Sequence, residues 1–157
     1  TSTELQNNLL LFREGNTRNS STILTNQIDM IKKKNPDTLT SLLTVKDLAF
    51  DMHKSLKQSD ITKFGELIHQ GWLAKKKFAK NVTNSRIDKI YDIALKNGAI
   101  GGKVTGAGGG GHMLFYCEKL KQKKLQKKLQ TLGLEHVKFS FYNNGPKIVK
   151  TSDMSNF

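Results

Sequence analysis

The order of hydrophobic and polar positions predicts helices combined with a sheet. Residues 8–12 form a short apolar run of strand length, and a turn-like Glu-Gly-Asn segment at 14–16 closes it. Four stretches with helical spacing follow before any second strand. The predicted helices span about 20–34, 37–57, 60–78 and 84–97, with Asn19 or Ser20, Ser59 or Asp60, and Asn84 as N-cap candidates.

Each predicted helix carries an apolar face that we expect to pack on the core. The faces are Ile23, Leu24, Ile28 and Ile31; Leu42, Val45, Leu48, Ala49, Met52 and Leu56; Ile61, Phe64, Leu67, Ile68, Trp72 and Phe78; and Ile87, Ile90, Tyr91 and Ala94. Consecutive helices without an intervening strand predict one helical layer.

The pattern changes after Gly98, where eight of the 13 glycines lie within 98–111. Residues 101–105 and 113–117 predict two strands joined by a glycine loop. A helix over 119–131 follows, and Leu120, Leu125, Leu129 and Leu132 are its apolar positions. A strand with Val137, Phe139 and Phe141 on one side, a turn at 143–146 and a short segment at 147–150 complete the pattern.

The order strand, helices, strand, strand, helix, strand predicts an α+β fold. It is the split β-α-β pattern of a ferredoxin-like antiparallel sheet with a helical layer packed on one side. Residues 1–157 fit one domain, which is also the size that 17.6 kDa suggests.

The strong positive charge raises the question of a polyanionic partner. Lys and Arg number 26 against 13 acidic residues, which gives a net charge of +13. Arginine, which reads guanine edges and forks onto phosphates, occurs only at positions 13, 18 and 86. Lysines on solvated helix faces therefore explain the charge better than specific nucleic-acid recognition.

Cysteine usage and hydropathy bear on the compartment. Cys117 is the single cysteine, so no internal disulfide forms and a reducing, cytoplasmic location is expected. No apolar run approaches a membrane span, so we expect no membrane partner. The sequence starts with Thr1 and has no signal-peptide pattern, which suggests a piece of a longer chain. His53, His69, His112 and His136 lack metal-ligand spacing, and we expect no metal site.

The glycine loop is the strongest candidate for chemistry. A nucleotide P-loop would need Gly and Ser or Thr where Asn97 and Val104 stand. Gly106, Gly108 and Gly111 satisfy G-x-G-x-x-G, but a strand follows rather than the helix that a dinucleotide site requires. A loop that lets a backbone or a phosphate approach closely remains, since successive peptide N–H groups can bind anions. A purely structural tight turn is the alternative.

The run Gly101-Gly102-Lys103-Val104-Thr105 followed by 106–111 resembles the third signature motif of the GHMP kinases, the family of galactokinase, homoserine kinase and mevalonate kinase. Residues 9–12, 15–18 and 84–88 are similar to the heptose 7-phosphate kinase branch. The resemblance covers about 5–149. It implies the C-terminal domain of a two-domain sugar kinase that phosphorylates the anomeric hydroxyl of a heptose 7-phosphate.

The resemblance also implies how the work is divided between domains. ATP and Mg²⁺ would be held mainly by an N-terminal domain that this sequence lacks, so no catalytic residue is assigned here and the fragment alone is expected to be inactive. The loop Thr105, Gly106, Ala107, Gly108, Gly109, Gly110, Gly111 would lie near the phosphates and the substrate, donating backbone N–H groups. Thr17, Arg18 and Lys103 are the substrate-binding candidates, with Arg18 placed on the sugar phosphate.

The sequence departs from the family pattern at two places, and three alternative functions remain open. Arg13-Glu14 stand where relatives tend to have an aromatic residue and Thr, and His112 stands where a small or apolar residue is usual. Another GHMP kinase, galactokinase-like in specificity, is one alternative. A basic nucleic-acid-binding α+β module is the second, although its aromatic strand motifs are missing. An inactive scaffold with an exposed apolar side is the third.

Overall fold

A computed structural model describes residues 2–15, 20–142 and 145. Within these ranges it contains six helices and four strands. Their bounds are α1 Ser2–Asn8, β1 Leu9–Arg13, α2 Ser20–Lys32, α3 Pro36–Lys57, α4 Ile61–Lys75, α5 Ser85–Lys96, β2 Ala99–Val104, β3 His112–Cys117, α6 Lys119–Gln130 and β4 Glu135–Val137.

The four described strands form one antiparallel sheet in the order β2-β3-β1-β4. Leu11 of β1 faces Leu114 of β3 on one side and Val137 of β4 on the other. This order, with β3 inserted between β1 and β2, is the predicted ferredoxin-like arrangement, and the α+β fold class is confirmed.

One sheet face carries the main core beneath α5 and α6. Phe12, Met113 and Phe115 project from it and are fully buried. They meet Ile87 and Ala94 of α5 and two leucines of α6. Asn84 caps α5 by accepting a hydrogen bond from the Ile87 amide at 3.0 Å, as its position predicted. The predicted apolar face of this helix is confirmed, since all four of its residues are buried.

A second, smaller core lies on the opposite face, where α4 crosses the edge of the sheet. A Cβ on Gly101 would stand 2.1 Å from the Gly65 carbonyl oxygen, and a Cβ on Gly65 would stand 2.5 Å from the Tyr116 ring. Glycine at both positions brings the α4 backbone into direct contact with β2 and β3. The sequence pattern placed helices on one side, and α4 adds a partial layer on the other.

Several predicted apolar faces are wrong in detail. Ile23 is the buried residue of α2, whereas Leu24, Ile28 and Ile31 are 47%, 50% and 41% exposed. Helical spacing defines a face but does not say which neighbour covers it. Leu120 is 97% exposed, because it lies five residues before Leu125 and so falls on a different side of α6 from the i, i+4 pair Leu125 and Leu129.

The ends of the chain differ most from the prediction. The sequence pattern predicts only a polar start, whereas Ser2–Asn8 form helix α1. Leu5 is the single buried residue of this helix, so no repeated apolar spacing predicts it. Strand β4 covers three residues rather than the predicted longer run, and Phe141 is 38% exposed beyond it. The predicted turn at 143–146 and segment 147–150 lie outside the described residues, apart from Gly145.

Candidate functional site

The glycine loop, Thr105–Gly111, joins β2 to β3 at one edge of the sheet. Five of its residues have positive φ, which L-amino acids with a side chain rarely adopt. They are Gly106 at 71°, Gly108 at 111°, Gly109 at 76°, Gly110 at 150° and Gly111 at 89°. The glycine content is therefore required by the backbone conformation itself.

Gly108 and Gly109 fasten the loop to the segment between α4 and α5. The Gly109 N–H donates to the Val82 carbonyl oxygen at 2.8 Å. A Cβ on Gly108 would lie 2.6 Å from the same oxygen. The predicted close approach of another backbone is confirmed at this point, and its partner is the buried Val82.

Polar contacts from four other places hold the rest of the loop. Gln27 of α2 donates to the Ala107 carbonyl oxygen at 3.3 Å, and Lys75 of α4 donates to the Gly106 carbonyl oxygen. Asn84 donates to the Gly109 carbonyl oxygen at 3.4 Å, and the Glu14 amide donates to the Gly111 carbonyl oxygen at 2.8 Å. All four contacts occupy carbonyl oxygens of the loop and engage none of its amides.

Five loop amides find no hydrogen-bond acceptor among residues 2–15, 20–142 and 145. They belong to Gly106, Ala107, Gly108, Gly110 and Gly111. Nothing lies within 4 Å of a Cβ built on Gly106 or on Gly111, so this side of the loop is open. Successive N–H groups in a positive-φ turn form a concavity suited to oxyanions. The open side of the loop therefore presents backbone N–H donors that make no hydrogen bond with the described residues.

Two hydrogen bonds within the protein reduce the number of loop amides that could donate to a ligand. The Thr105 amide donates to the His112 carbonyl oxygen at 2.9 Å, and the Gly109 amide is held by Val82. Neither group is available to a ligand while these bonds last. The donors that remain are the amides of residues 106–108, 110 and 111.

A buried acid supports the end of β1 next to the loop. The Glu14 carboxylate is 2% exposed and accepts a hydrogen bond from Arg86 Nε at 2.6 Å. Arg86 also donates to the Leu132 carbonyl oxygen at 3.3 Å, which ties α5 to the end of α6. Arg13, whose side chain is exposed, pairs with Glu135 of β4 at 3.8 Å. The unusual Arg13-Glu14 pair thus forms two ion pairs of its own, and the one at Glu14 is buried.

Of the three substrate-binding candidates, the structure describes only Lys103. Lys103 lies on β2 directly before the loop, with an exposed side chain. Lys75 lies close to it, and burial together with the charge of Lys103 lowers the pKa of Lys75 below its ordinary value. Two cations therefore flank the loop. Thr17 and Arg18 lie outside the described residues.

Other reactive side chains play structural parts. Cys117 is fully buried, and burial raises the pKa of its thiol to about 11, which disfavours the nucleophilic thiolate. His69 Nδ1 lies 2.7 Å from the Tyr91 hydroxyl, and burial raises the pKa of Tyr91. His112 starts β3 opposite Arg13 and is half-buried.

Residues 2–15, 20–142 and 145 contain neither a cluster of metal ligands nor a membrane-spanning helix. No group of three His, Cys, Asp or Glu side chains within them is placed to hold a metal ion. The described helices include none with the length and hydrophobicity needed to cross a bilayer.

Comparison with known proteins identifies the family. A family described as "GHMP kinases C terminal" matches residues 52–133, more than half of the chain, from within α3 to the end of α6. This chain belongs to that family. The matched region includes the whole glycine loop, which agrees with the motif resemblance.

The curated relatives of this GHMP kinase C-terminal chain are sugar kinases. D-glycero-alpha-D-manno-heptose 7-phosphate kinase of Campylobacter jejuni is 32% identical over 110 residues, which are 70% of this chain and 32% of that protein. Galactokinase of Candida albicans is 34% identical over 93 residues, 57% of this chain and 18% of that protein. The chain therefore spans about a third or less of the length of these relatives.

A solved structure supports the fold. L. major mevalonate kinase in complex with R-mevalonate aligns with a TM-score of 0.71 at 17% identity, covering 78% of this chain and 37% of that one. At this identity the likeness concerns the fold. It agrees with the ferredoxin-like sheet described above.

The sequence pattern missed the residues that hold the loop in place. Gln27, Lys75 and Val82 come from segments far apart in the sequence, and none carries a motif. Asn84 was assigned as a helix cap and also contacts the loop. A signal for the others would have required knowing how α2 and α4 pack against β2.

Proposed function

We propose that this chain is the C-terminal domain of an ATP-dependent kinase that phosphorylates the anomeric hydroxyl of a heptose 7-phosphate. The domain would work with an N-terminal domain that holds ATP and Mg²⁺, in the cytoplasm, and would be inactive alone. The kinase family and the heptose 7-phosphate kinase relative at 32% identity support this proposal.

The observation that carries it is the open glycine loop, in which the amides of residues 106–108, 110 and 111 have no acceptor within the described residues. A phosphoryl group in transfer carries charge on its peripheral oxygens, and preorganised donors stabilise that charge. ATP supplies the phosphoryl group. The chain's part is to hold these donors still and to keep side chains away from the reacting centre.

Positive charge beside the loop would also help to bind phosphate groups. Lys75 and Lys103 flank the loop, and they would attract the phosphate groups of both substrates. Arg18 remains our candidate for the phosphate of the sugar, because guanidinium forks onto phosphate oxygens. Thr17, next to it, is the weaker candidate of the pair.

Kinase assays on the polypeptide that the gene encodes test the proposal. Heptose 7-phosphate, heptose, galactose, fucose and mevalonate are offered with ATP and Mg²⁺, and the phosphorylated carbon is identified by phosphorus NMR. We expect transfer to the anomeric oxygen of heptose 7-phosphate, and the Arg18→Ala variant should raise the KM for this sugar more than for ATP. Transfer to mevalonate alone, or to no acceptor, contradicts the proposal.

A galactokinase-like activity is the second candidate, favoured by the Candida albicans galactokinase at 34% identity. It differs in the acceptor, since galactose carries no phosphate. The same panel separates the two: galactose turnover that does not change in Arg18→Ala would establish it. The 157-residue chain, assayed by itself, should be inactive in either case.

A further inference from the structure

A cavity between α3 and α4 lies beside the glycine loop and is lined in part by the two lysines that flank the loop. Its volume is about 150 Å³, and its floor is made of Leu48, Ile68 and Trp72, which are all buried. Apolar positions of α3 form one wall, and Gly71 of α4 lies opposite them. The cavity therefore offers an apolar surface that no part of the described chain fills.

Two cations stand at this cavity without an acidic partner. Lys75 and Lys103 both line it, and no carboxylate of the described residues does. Neither lysine forms an ion pair with an acid in residues 2–15, 20–142 and 145. Burial and the charge of Lys103 lower the pKa of Lys75, as expected for two cations close together. An anion placed between them would relieve this repulsion.

The single tryptophan forms part of the cavity floor. Trp72 is 1% exposed, and its indole N–H is the one buried side-chain polar group in the described part of the chain that makes no hydrogen bond. The indole nitrogen is itself buried, so Trp72 contributes apolar ring surface to the cavity, and its N–H resonance reports on the packing of the ring.

Glycine at position 71 keeps the cavity open. It lies inside α4, where glycine costs about 1 kcal/mol relative to alanine. No backbone requirement explains it, because its φ is not positive and a Cβ there would meet only Met52 Cε, at 3.9 Å. Alanine would therefore fit, and it would take up space in the cavity.

We propose that the α3–α4 cavity binds a small amphipathic anion, with its apolar body on the Trp72 floor and its oxygens between Lys75 and Lys103. This inference does not depend on the proposed kinase activity. Because Lys75 also donates to the Gly106 carbonyl oxygen, the bound anion would compete with the glycine loop for this lysine.

Titration of the full chain with hexanoate tests the proposal by NMR. Trp72 is the single tryptophan, so its indole N–H gives one resonance that reports directly on the cavity. We expect this resonance and the Gly106 amide to shift together, and hexanoate to bind about tenfold more tightly than hexanol or hexylamine. Hexyl phosphate is the second anionic probe and distinguishes a phosphate head from a carboxylate head.

Two variants complete the test. Lys103→Gln should reduce hexanoate affinity to that of hexanol, whereas Lys96→Gln, an exposed lysine on α5, should leave it unchanged. Gly71→Ala should weaken binding while raising the melting temperature. Equal affinities for hexanoate and hexylamine, an unshifted indole resonance, or full affinity in Lys103→Gln would each overturn the proposal.

Discussion

Two groups of glycines stand a few residues apart in this chain and serve opposite purposes. Gly101 in β2 is packed so tightly that a Cβ would lie 2.1 Å from the Gly65 carbonyl oxygen. Gly106 and Gly111 in the loop have nothing within 4 Å of that position, and their φ values are positive. The strand glycine makes room for a helix, while the loop glycines shape an open backbone. One motif thus contains a packing device and a candidate binding device.

The largest effect is expected at the packed glycine. Gly101→Ala pushes a methyl group into the α4 backbone, and overpacking of this kind should lower the free energy of unfolding by about 3 kcal/mol. Gly106→Ala, its open counterpart, should cost about 1 kcal/mol through its positive φ alone. Urea unfolding of both variants measures the difference. Equal losses would show that the two glycines do not differ as described.

The next effect concerns the acid that supports the loop. Arg86→Met leaves the buried Glu14 carboxylate without its guanidinium and should cost about 2 kcal/mol, less than a fully buried pair because Arg86 is half exposed. Lys76→Met breaks the pair with Asp88, whose side chain is 40% exposed, and is the control, with a loss below about 1 kcal/mol. Thermal unfolding compares them; a larger loss for Lys76→Met would contradict the assignment.

Kinase activity should distinguish Gly111, in the loop, from Gly133, which has a similar backbone conformation outside it. Gly111→Ala and Gly133→Ala share an empty Cβ site and φ values of 89° and 82°, so each should cost about 1 kcal/mol of stability. Under the proposed function, Gly111→Ala in the encoded kinase should also reduce kcat about tenfold, since it displaces amides that face phosphate. Gly133→Ala should keep full activity. A matching loss of kcat in both variants would assign the effect to stability.

The smallest effect tests one of the side chains that hold the loop. Gln27→Ala removes a 3.3 Å hydrogen bond to Ala107 and should cost about 0.5 kcal/mol. The exposed Gln130→Ala on α6 provides the reference, with no measurable loss. Hydrogen exchange at the Gly109 amide, which is protected by its hydrogen bond to the Val82 carbonyl oxygen, should rise in the first variant only. Unchanged exchange would mean that α2 does not steady the loop.

Much of the fold was predictable because local signals agreed with the tertiary structure. The apolar face of α5, its Asn84 cap and the two strands around the loop follow directly from spacing and capping preference. The face of α2 was not predictable in the same way, because Leu24 and Ile28 have helical spacing and still point away from the core. Apolar periodicity shows that a helix has a hydrophobic face, whereas the burial of that face depends on which other elements pack against it.

The candidate site likewise has features that the sequence determines and features that depend on tertiary packing. The sequence alone determined the glycine loop, its position between two strands and the family that it resembles, because runs of glycine and strand patterns are local properties. The tertiary structure decided which amides stay available, because Val82 and His112 occupy two of them from distant positions. It also decided that Lys75 and Lys103 share a cavity over Trp72. Such contacts depend on how α4 packs against β2, and no local pattern encodes that approach.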